Sequence, residues 1–332
     1  MFTTTELAKR TISVAVVIPC YRVKQHILGV IREMPDFVDH IIVVDDKCPE
    51  SSGELVRAEC SDPRLCLIIH ERNLGVGGAV VTGYRKALEL GADVAVKIDG
   101  DGQMDPALIA SFLQPIAMGL ADYTKGNRFF SLDTVAGMPP IRLFGNAILS
   151  FISKLSTGYW RTFDPTNGYT AIHTSVLRIL PLQKLIGRYF FESEMLFRLG
   201  TVGAAVTDVP MHSRYGDESS SLKLSKILGE FAWKHIRNTF KRLTYNYALR
   251  DFSVATMELI FGIALLLFGT IFGINQIIQS NMTGSLASAG TVAVAMISVI
   301  LGIQFVLAFL AFDIARTPST AIHLTLSAAL KQ

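Results

Sequence analysis

Cysteine is scarce in this 332-residue chain. Cys20, Cys48, Cys60 and Cys66 form no Cys-x-x-Cys pair and have no histidines at zinc spacing. That excludes a disulfide scaffold and a zinc finger, and it reads as reduced thiols of a cytosolic domain. The glycine turn at Gly75 lacks the Gly-x-Gly-x-x-Gly order, because Val80 stands at the last position. A nicotinamide-type oxidoreductase is thereby excluded. The opening residues MFTTTELAKRT contain no apolar core of signal-peptide type, so the catalytic part is expected in the cytoplasm. Charge is the most unevenly missing feature. From Phe252 to Phe312 the only ionisable side chain is Glu258, although the whole chain carries a formal net charge of +3.

What is present falls into three segments. Residues 1–222 alternate apolar runs with helical patterns. SVAVVIPCY (Ser13–Tyr21), DHIIVVDD (Asp39–Asp46), RLCLIIHE and ADVAVKIDGDG read as buried strands, separated by helices with 3.6-residue spacing. Such alternation predicts an α/β domain with an open, mostly parallel sheet flanked by helices. A helix over Ala107–Met118, a short strand holding Arg128, an amphipathic helix from about Pro140 and a strand near Ala204–Val209 follow. In sheets of this kind ligands bind at the C-terminal strand ends. Pro19, Asp45, Asp46, Asp99 and Asp101 all fall there.

Within residues 223–252, the stretch Lys223–Arg250 carries seven Lys/Arg and a single acid, Glu230, with Leu224, Ile227, Leu228, Phe231, Ile236, Phe240 and Leu243 at helical spacing. A basic amphipathic segment of this kind suits an anionic membrane surface. Residues 253–332 hold two apolar stretches, Val254–Ile278 and Thr291–Phe312, each long enough to span about 30 Å of hydrocarbon. The loop between them is uncharged, whereas positive charge lies before the first and after the second. Both flanks are therefore expected on the cytoplasmic side of the plasma (inner) membrane. The adjoining spans argue against nucleic acid as the partner of the basic segment.

The stretch VKIDGDGQMDP places Asp99, Asp101 and Asp105 within seven residues, behind an apolar strand. Hard cations such as Mg2+ or Mn2+ prefer carboxylate oxygens and share them with substrate phosphates. Asp99-Gly100-Asp101 offers two carboxylates from one turn, and Gly100 permits close backbone approach.

Here the chain resembles a known family. VVIPCY, VVDD, RNLGVGGAVVTGYRKAL, KIDGDGQMDP, GNRF and DPTNGYTAI occur in the order found in family 2 glycosyltransferases of GT-A fold. The resemblance is strongest to dolichol-phosphate mannose synthase and the bacterial polyprenyl-phosphate glycosyltransferases, and it covers residues 12–222. It implies an inverting, metal-dependent transfer of a sugar from a UDP- or GDP-linked donor to polyprenyl phosphate, with Mg2+ or Mn2+ as cofactor. Pro19, Tyr21, Asp45 or Asp46, Asp99, Gly100, Glu194 and Arg214 would bind the nucleotide sugar. Asp99, Asp101 and Gln103 would hold the metal, and Arg128 and Arg142 would meet the acceptor phosphate. Asp101, Asp164 and Arg128 would be catalytic, Asp164 by orienting the acceptor, by stabilising positive charge on the sugar, or as a base. A homotetramer is plausible by the same resemblance. A glycolipid or polysaccharide acceptor and a non-catalytic membrane subunit stand as alternatives. The absence of an Arg-Trp pair and the presence of only two spans argue against a processive polysaccharide synthase.

Overall fold

A computed structural model describes residues 12–130, 140–185, 190–211 and 224–329. The chain divides into two compact units, Met1–Asn238 with Pro318–Gln332, and Thr239–Thr317.

The first unit is built on seven strands: β1 (Val14–Cys20), β2 (His40–Asp45), β3 (Leu65–Ile69), β4 (Val94–Lys97), β5 (Tyr123–Asn127), β6 (Thr170–His173) and β7 (Val206–Pro210). Their order in the sheet is β3-β2-β1-β4-β6-β5-β7. β1, β2, β3 and β4 pair in parallel, Pro19 opposite Val44 and Val17 opposite Lys97. β6 runs antiparallel between β4 and β5, and β5 and β7 are parallel again. The sheet is thus mixed but mostly parallel, as the alternating pattern predicts. The one reversed strand follows the DPTNGY turn, which sends the chain back through the gap between β4 and β5.

The strands are nearly continuous β-branched runs because both faces are covered. Side chains alternate between them. Ala15, Val17, Ile42 and Val44 face one core with Ala79, Val80 and Tyr84 of helix α3 (Gly75–Glu89). Val14, Val16, Ile18, Ile41 and Val43 face the other, with Ile27 and Ile31 of α1 (Ile27–Arg32) and Phe112 of α4 (Ile109–Ala117). Each such buried aliphatic side chain contributes about 1.5–3 kcal/mol. α2 (Ser52–Glu59), α5 (Pro140–Thr157), α6 (Thr174–Ile179) and α7 (Phe191–Val202) complete the layers. α4 is narrower than the sequence pattern predicts, because Pro106–Leu108 forms a 3-10 turn ahead of it. After β3 the chain crosses back to β4 beside β1, so the strand order reverses between β1 and β4. This is where a ligand crevice is expected.

The helix α8 (Leu224–Leu243) continues into a π-helical stretch, Thr244–Arg250. In the second unit α9 (Val254–Thr283) and α10 (Ala289–Ala315) are long and apolar enough to cross a membrane, with mean hydropathy 2.2 and 2.6. Only 11% and 17% of their most apolar windows are buried, which argues against the core hairpin of a soluble protein. They pack along small residues: a Cβ on Gly302 would lie 2.8 Å from the Leu266 nitrogen. Arg242 donates a bidentate pair to buried Asp313 (2.7 and 2.9 Å), and the Tyr247 hydroxyl donates to the same carboxylate.

Beyond α10 the chain rejoins the first unit. Helix α11 (His323–Ala329) packs against α6, and its first residues hydrogen-bond to Asp122. No sequence signal marks this return.

Candidate active site

A cavity of about 620 Å³ opens at the C-terminal ends of β1, β2 and β4. Pro19, Cys20, Tyr21, Arg22 and Val23 line one wall. Asp46, Asn73, Gly75, Val76 and Ala79 line a second, and Asp99, Gly100 and Asp101 a third. Six of the residues assigned to the site by sequence therefore converge there: Pro19, Tyr21, Asp46, Asp99, Gly100 and Asp101.

Asp46 joins β2 to α3. Its carboxylate accepts from the Leu74 and Gly75 backbone N–H groups (both 2.7 Å) and lies 2.8 Å from His70 Nδ1. An acid at a helix N-terminus compensates orphan donors and the positive end of the dipole. The far side of the His70 ring meets Thr82 Oγ1 at 2.9 Å, which fixes the ring against α3. Gly75 at φ +80 supplies the left-handed step that brings the two N–H groups round.

The neighbouring acid plays another part. Asp45 accepts from Cys48 N–H (2.7 Å) and Gly53 N–H (2.6 Å), and it lies outside the cavity lining. It shapes the loop from β2 to α2, where Lys47 and Ser51 both adopt positive φ. Across the cavity Arg22 is also at φ +59, with its N–H donating to Cys48 Sγ at 3.0 Å. Non-glycine residues in this region cost energy and cluster at binding sites.

On the third wall, Lys97 supplies the positive charge that the crowded acids require. Its ammonium is 1% exposed and donates to Asp99 Oδ1 (2.9 Å), Gly168 O (3.1 Å) and Glu192 Oε1 (3.3 Å). Burial alone would lower its pKa, but Asp99 and Glu192 outweigh that and raise it. Glu192 is pushed above the ordinary carboxylate range by burial, opposed by Lys97 and reinforced by Asp99. Gly168 is required here by space. A Cβ would lie 2.5 Å from Lys97 Nζ and 2.7 Å from Asp99 Oδ2.

Asp164 and Arg128 form a second charged group. Arg128 donates through Nε (2.7 Å) and a terminal nitrogen (2.8 Å) to the two oxygens of Asp164. Asp164 is 1% exposed at its side chain, adopts φ +51, and also accepts from Asn167 Nδ2 at 3.1 Å. Burial raises its pKa, but the Arg128 contacts and the Lys125 charge prevail and hold it below the usual range. A carboxylate so held is a weak proton acceptor. The loop that carries it is fixed from behind by half-buried Asp208, which accepts from Lys125 Nζ (3.0 Å), Asn127 Nδ2 (3.1 Å) and Phe163 N–H (2.7 Å).

The other assigned residues are placed as follows. Gln103 is half-buried, with its N–H donating to Asp101 Oδ1 (3.0 Å), and it is not a lining residue. Glu194 is not a lining residue: Arg198 donates to its Oε1 (2.6 and 2.9 Å) and Asn238 to its Oε2 (2.8 Å). Glu192, two positions earlier on α7, is the acid that reaches Lys97. Arg142 lies in the first turn of α5, its side chain outside the described residues, and Arg214 lies outside them altogether. Lys97, Glu192 and Gly168 escaped the sequence reading. A lysine closing a run of buried strand residues was the available signal.

The donor set can be tested against a divalent cation. Among the described residues no group of three or more His, Cys, Asp or Glu forms a protein cage. Asp99 and Asp101 instead offer two carboxylates on a cavity wall, the set a hard cation uses when phosphate oxygens complete its shell. The residues fit Mg2+ or Mn2+ in that shared form.

A model of glycosyl transferase family 2 matches residues 15–180. The chain belongs to this family. It is 32% identical over 227 residues to the UDP-N-acetylglucosamine–dolichyl-phosphate N-acetylglucosaminyltransferase of Methanococcus voltae, spanning 64% of this chain and 90% of that protein. It is 28% identical over 222 residues to the undecaprenyl-phosphate mannosyltransferase of Micrococcus luteus, spanning 65% of this chain and 90% of that one. The fold is shared with glucosyl-3-phosphoglycerate synthase from Mycobacterium tuberculosis, solved with Mn2+, UDP and glucosyl-3-phosphoglycerate. The TM-score is 0.52 at 19% identity, covering 71% of this chain and 82% of that one. The first unit is thus a GT-A-type family 2 glycosyltransferase, and its relatives use polyprenyl phosphates as acceptors.

Proposed function

We propose that this glycosyltransferase moves a sugar from a nucleotide diphosphate to a polyprenyl phosphate at the cytoplasmic face of a membrane. The observation that carries the reading is the convergence of Asp99 and Asp101 with Pro19, Tyr21 and Asp46 on one cavity at the strand switch point. The membrane-length helices and the polyprenyl-phosphate relatives support the acceptor.

In this reading Tyr21 and Asp46 frame the nucleoside, and the Asp99-Gly100-Asp101 turn faces the diphosphate. Mg2+ or Mn2+ held by Asp99 and Asp101, with Gln103 beside them, would neutralise charge developing on the leaving diphosphate. A phosphate oxygen of the acceptor attacks the anomeric carbon as the bond to the diphosphate breaks, and the nucleoside diphosphate departs. The configuration at that carbon inverts. A phosphomonoester is already largely ionised near pH 7, so no general base is demanded. Asp164 accordingly serves to orient Arg128, whose guanidinium meets the acceptor anion, and Arg142 is a second cation for it.

The catalytic domain comprises residues 1–222, and the basic segment 223–252 lies at the headgroup level. The positive flanks put both ends of the two-span hairpin in the cytoplasm. Docking of α11 on the catalytic unit supports the same side for both. The test is a panel of UDP- and GDP-sugars incubated with undecaprenyl phosphate and Mn2+ or Mg2+. A lipid-linked sugar is expected from at least one donor. Release of nucleotide with no lipid product would contradict the acceptor.

A further inference from the structure

Lys97 is an unusual residue to bury in a strand, since lysine at 1% exposure persists only when its charge is matched. Its three donors have three partners on three different elements. Asp99 lies beyond β4, Gly168 precedes β6, and Glu192 opens α7. The ammonium is therefore fixed in direction as well as in place.

We infer that Lys97 is a positioning residue for the donor diphosphate site: it binds Oδ1 of Asp99, a residue of the cavity wall, and is itself anchored from behind by Glu192. The inference rests on the function proposed above. A free carboxylate at the end of a strand rotates and can chelate through either oxygen. Held by Lys97 it presents one oxygen in one direction. Glu192 has a second effect, through charge. The one ammonium is shared between Glu192 and Asp99, so Asp99 is less fully neutralised than in a one-to-one pair and keeps more of its attraction for a cation. Lys97 paired with Asp99 alone would cancel it. Gly168 belongs to the same device, because a Cβ there would push into both Lys97 Nζ and Asp99 Oδ2.

The experiment measures binding and not turnover. Lys97→Met combined with Glu192→Gln removes the cation and its counter-charge together, so that no lone charge is left buried. Glu192→Gln alone is the second variant. Free Mn2+ is followed by electron paramagnetic resonance with and without UDP. UDP binding without metal and the thermal transition are recorded alongside. The native chain should take up Mn2+ in a UDP-linked manner. The folded double variant should bind that Mn2+ about tenfold or more weakly, as supporting residues behind metal ligands typically require, with metal-free UDP binding unchanged. Glu192→Gln should weaken it several-fold. Mn2+ binding as tight as native, or tighter, in the folded double variant overturns the inference. If the double variant does not fold, unchanged Mn2+ binding in Glu192→Gln overturns it. No UDP-linked Mn2+ uptake by the native chain would overturn the proposed function as well, so the two failures are distinguishable.

Discussion

His323 Nδ1 lies 2.8 Å from Asp122 Oδ1, although 201 residues separate them. The backbone N–H groups of Ile322, His323 and Ala205 donate to the same carboxylate at 2.8–2.9 Å. The His323 ring also stacks on His173, with centroids 4.4 Å apart. The segment following the second apolar helix is thereby clasped to the catalytic unit, which is attached to the hairpin at both ends.

His323→Ala should weaken this clasp. Asp122 would lose a charge-assisted partner while remaining buried, at a cost of about 1–3 kcal/mol. The thermal transition of the catalytic unit should fall, whereas UDP binding should be unchanged, because the cavity is at the opposite strand ends.

His173 sets a pH dependence. Burial first, then the neighbouring His323, lowers its pKa to about 4, against the opposing pull of Asp93 and Asp122. The unfolded chain has an ordinary histidine, near 6.5. Between those values the unfolded state binds a proton that the folded state refuses. Stability is thus fully present above about pH 6.5 and is lost as pH falls toward 4. Thermal scans across this range should give a smaller acid loss for His173→Gln than for the native chain.

Gly168→Ala should spare the fold but not the reaction. Its Cβ would force Lys97 and Asp99 apart, and a displacement of about 1 Å at a reacting centre costs on the order of 100-fold in rate. Comparable kcat in this variant would show that the Lys97–Asp99 geometry is immaterial.

Arg128→Lys should lose the fork that grips Asp164. A compact ammonium cannot reproduce two parallel hydrogen bonds, and Asp164 would be left partly unpaired. Transfer efficiency, kcat/KM for the lipid acceptor, should fall about tenfold or more. If Asp164 only orients Arg128, Asp164→Asn should be comparably impaired and should leave the pH profile unshifted.

Much of this was legible in the chain itself. Each buried parallel strand could be read as a β-branched run, and the acids at its end followed from position. The two apolar helices were equally plain, because Phe252 to Phe312 carry a single ionisable side chain, Glu258. Side-chain direction at the strand ends was not legible. Asp45 and Asp46 are adjacent, yet one caps a loop and the other lines the cavity, because successive residues leaving a strand face opposite ways. Glu192 and Glu194 pose the same problem on a helix: two positions rotate the side chain by roughly 200°. Only the packing of α7 decides which one meets Lys97. The Asp122–His323 clasp left no local trace, since it depends on where the whole hairpin returns the chain.

The most direct test of the account is the formation of a lipid-linked sugar from a nucleotide-sugar panel and undecaprenyl phosphate, comparing the native chain with Asp101→Ala. The account predicts product from the native chain with Mn2+ or Mg2+ and none from the variant, with the same thermal transition in both. Equal product from a folded Asp101→Ala chain at saturating Mn2+ would contradict it.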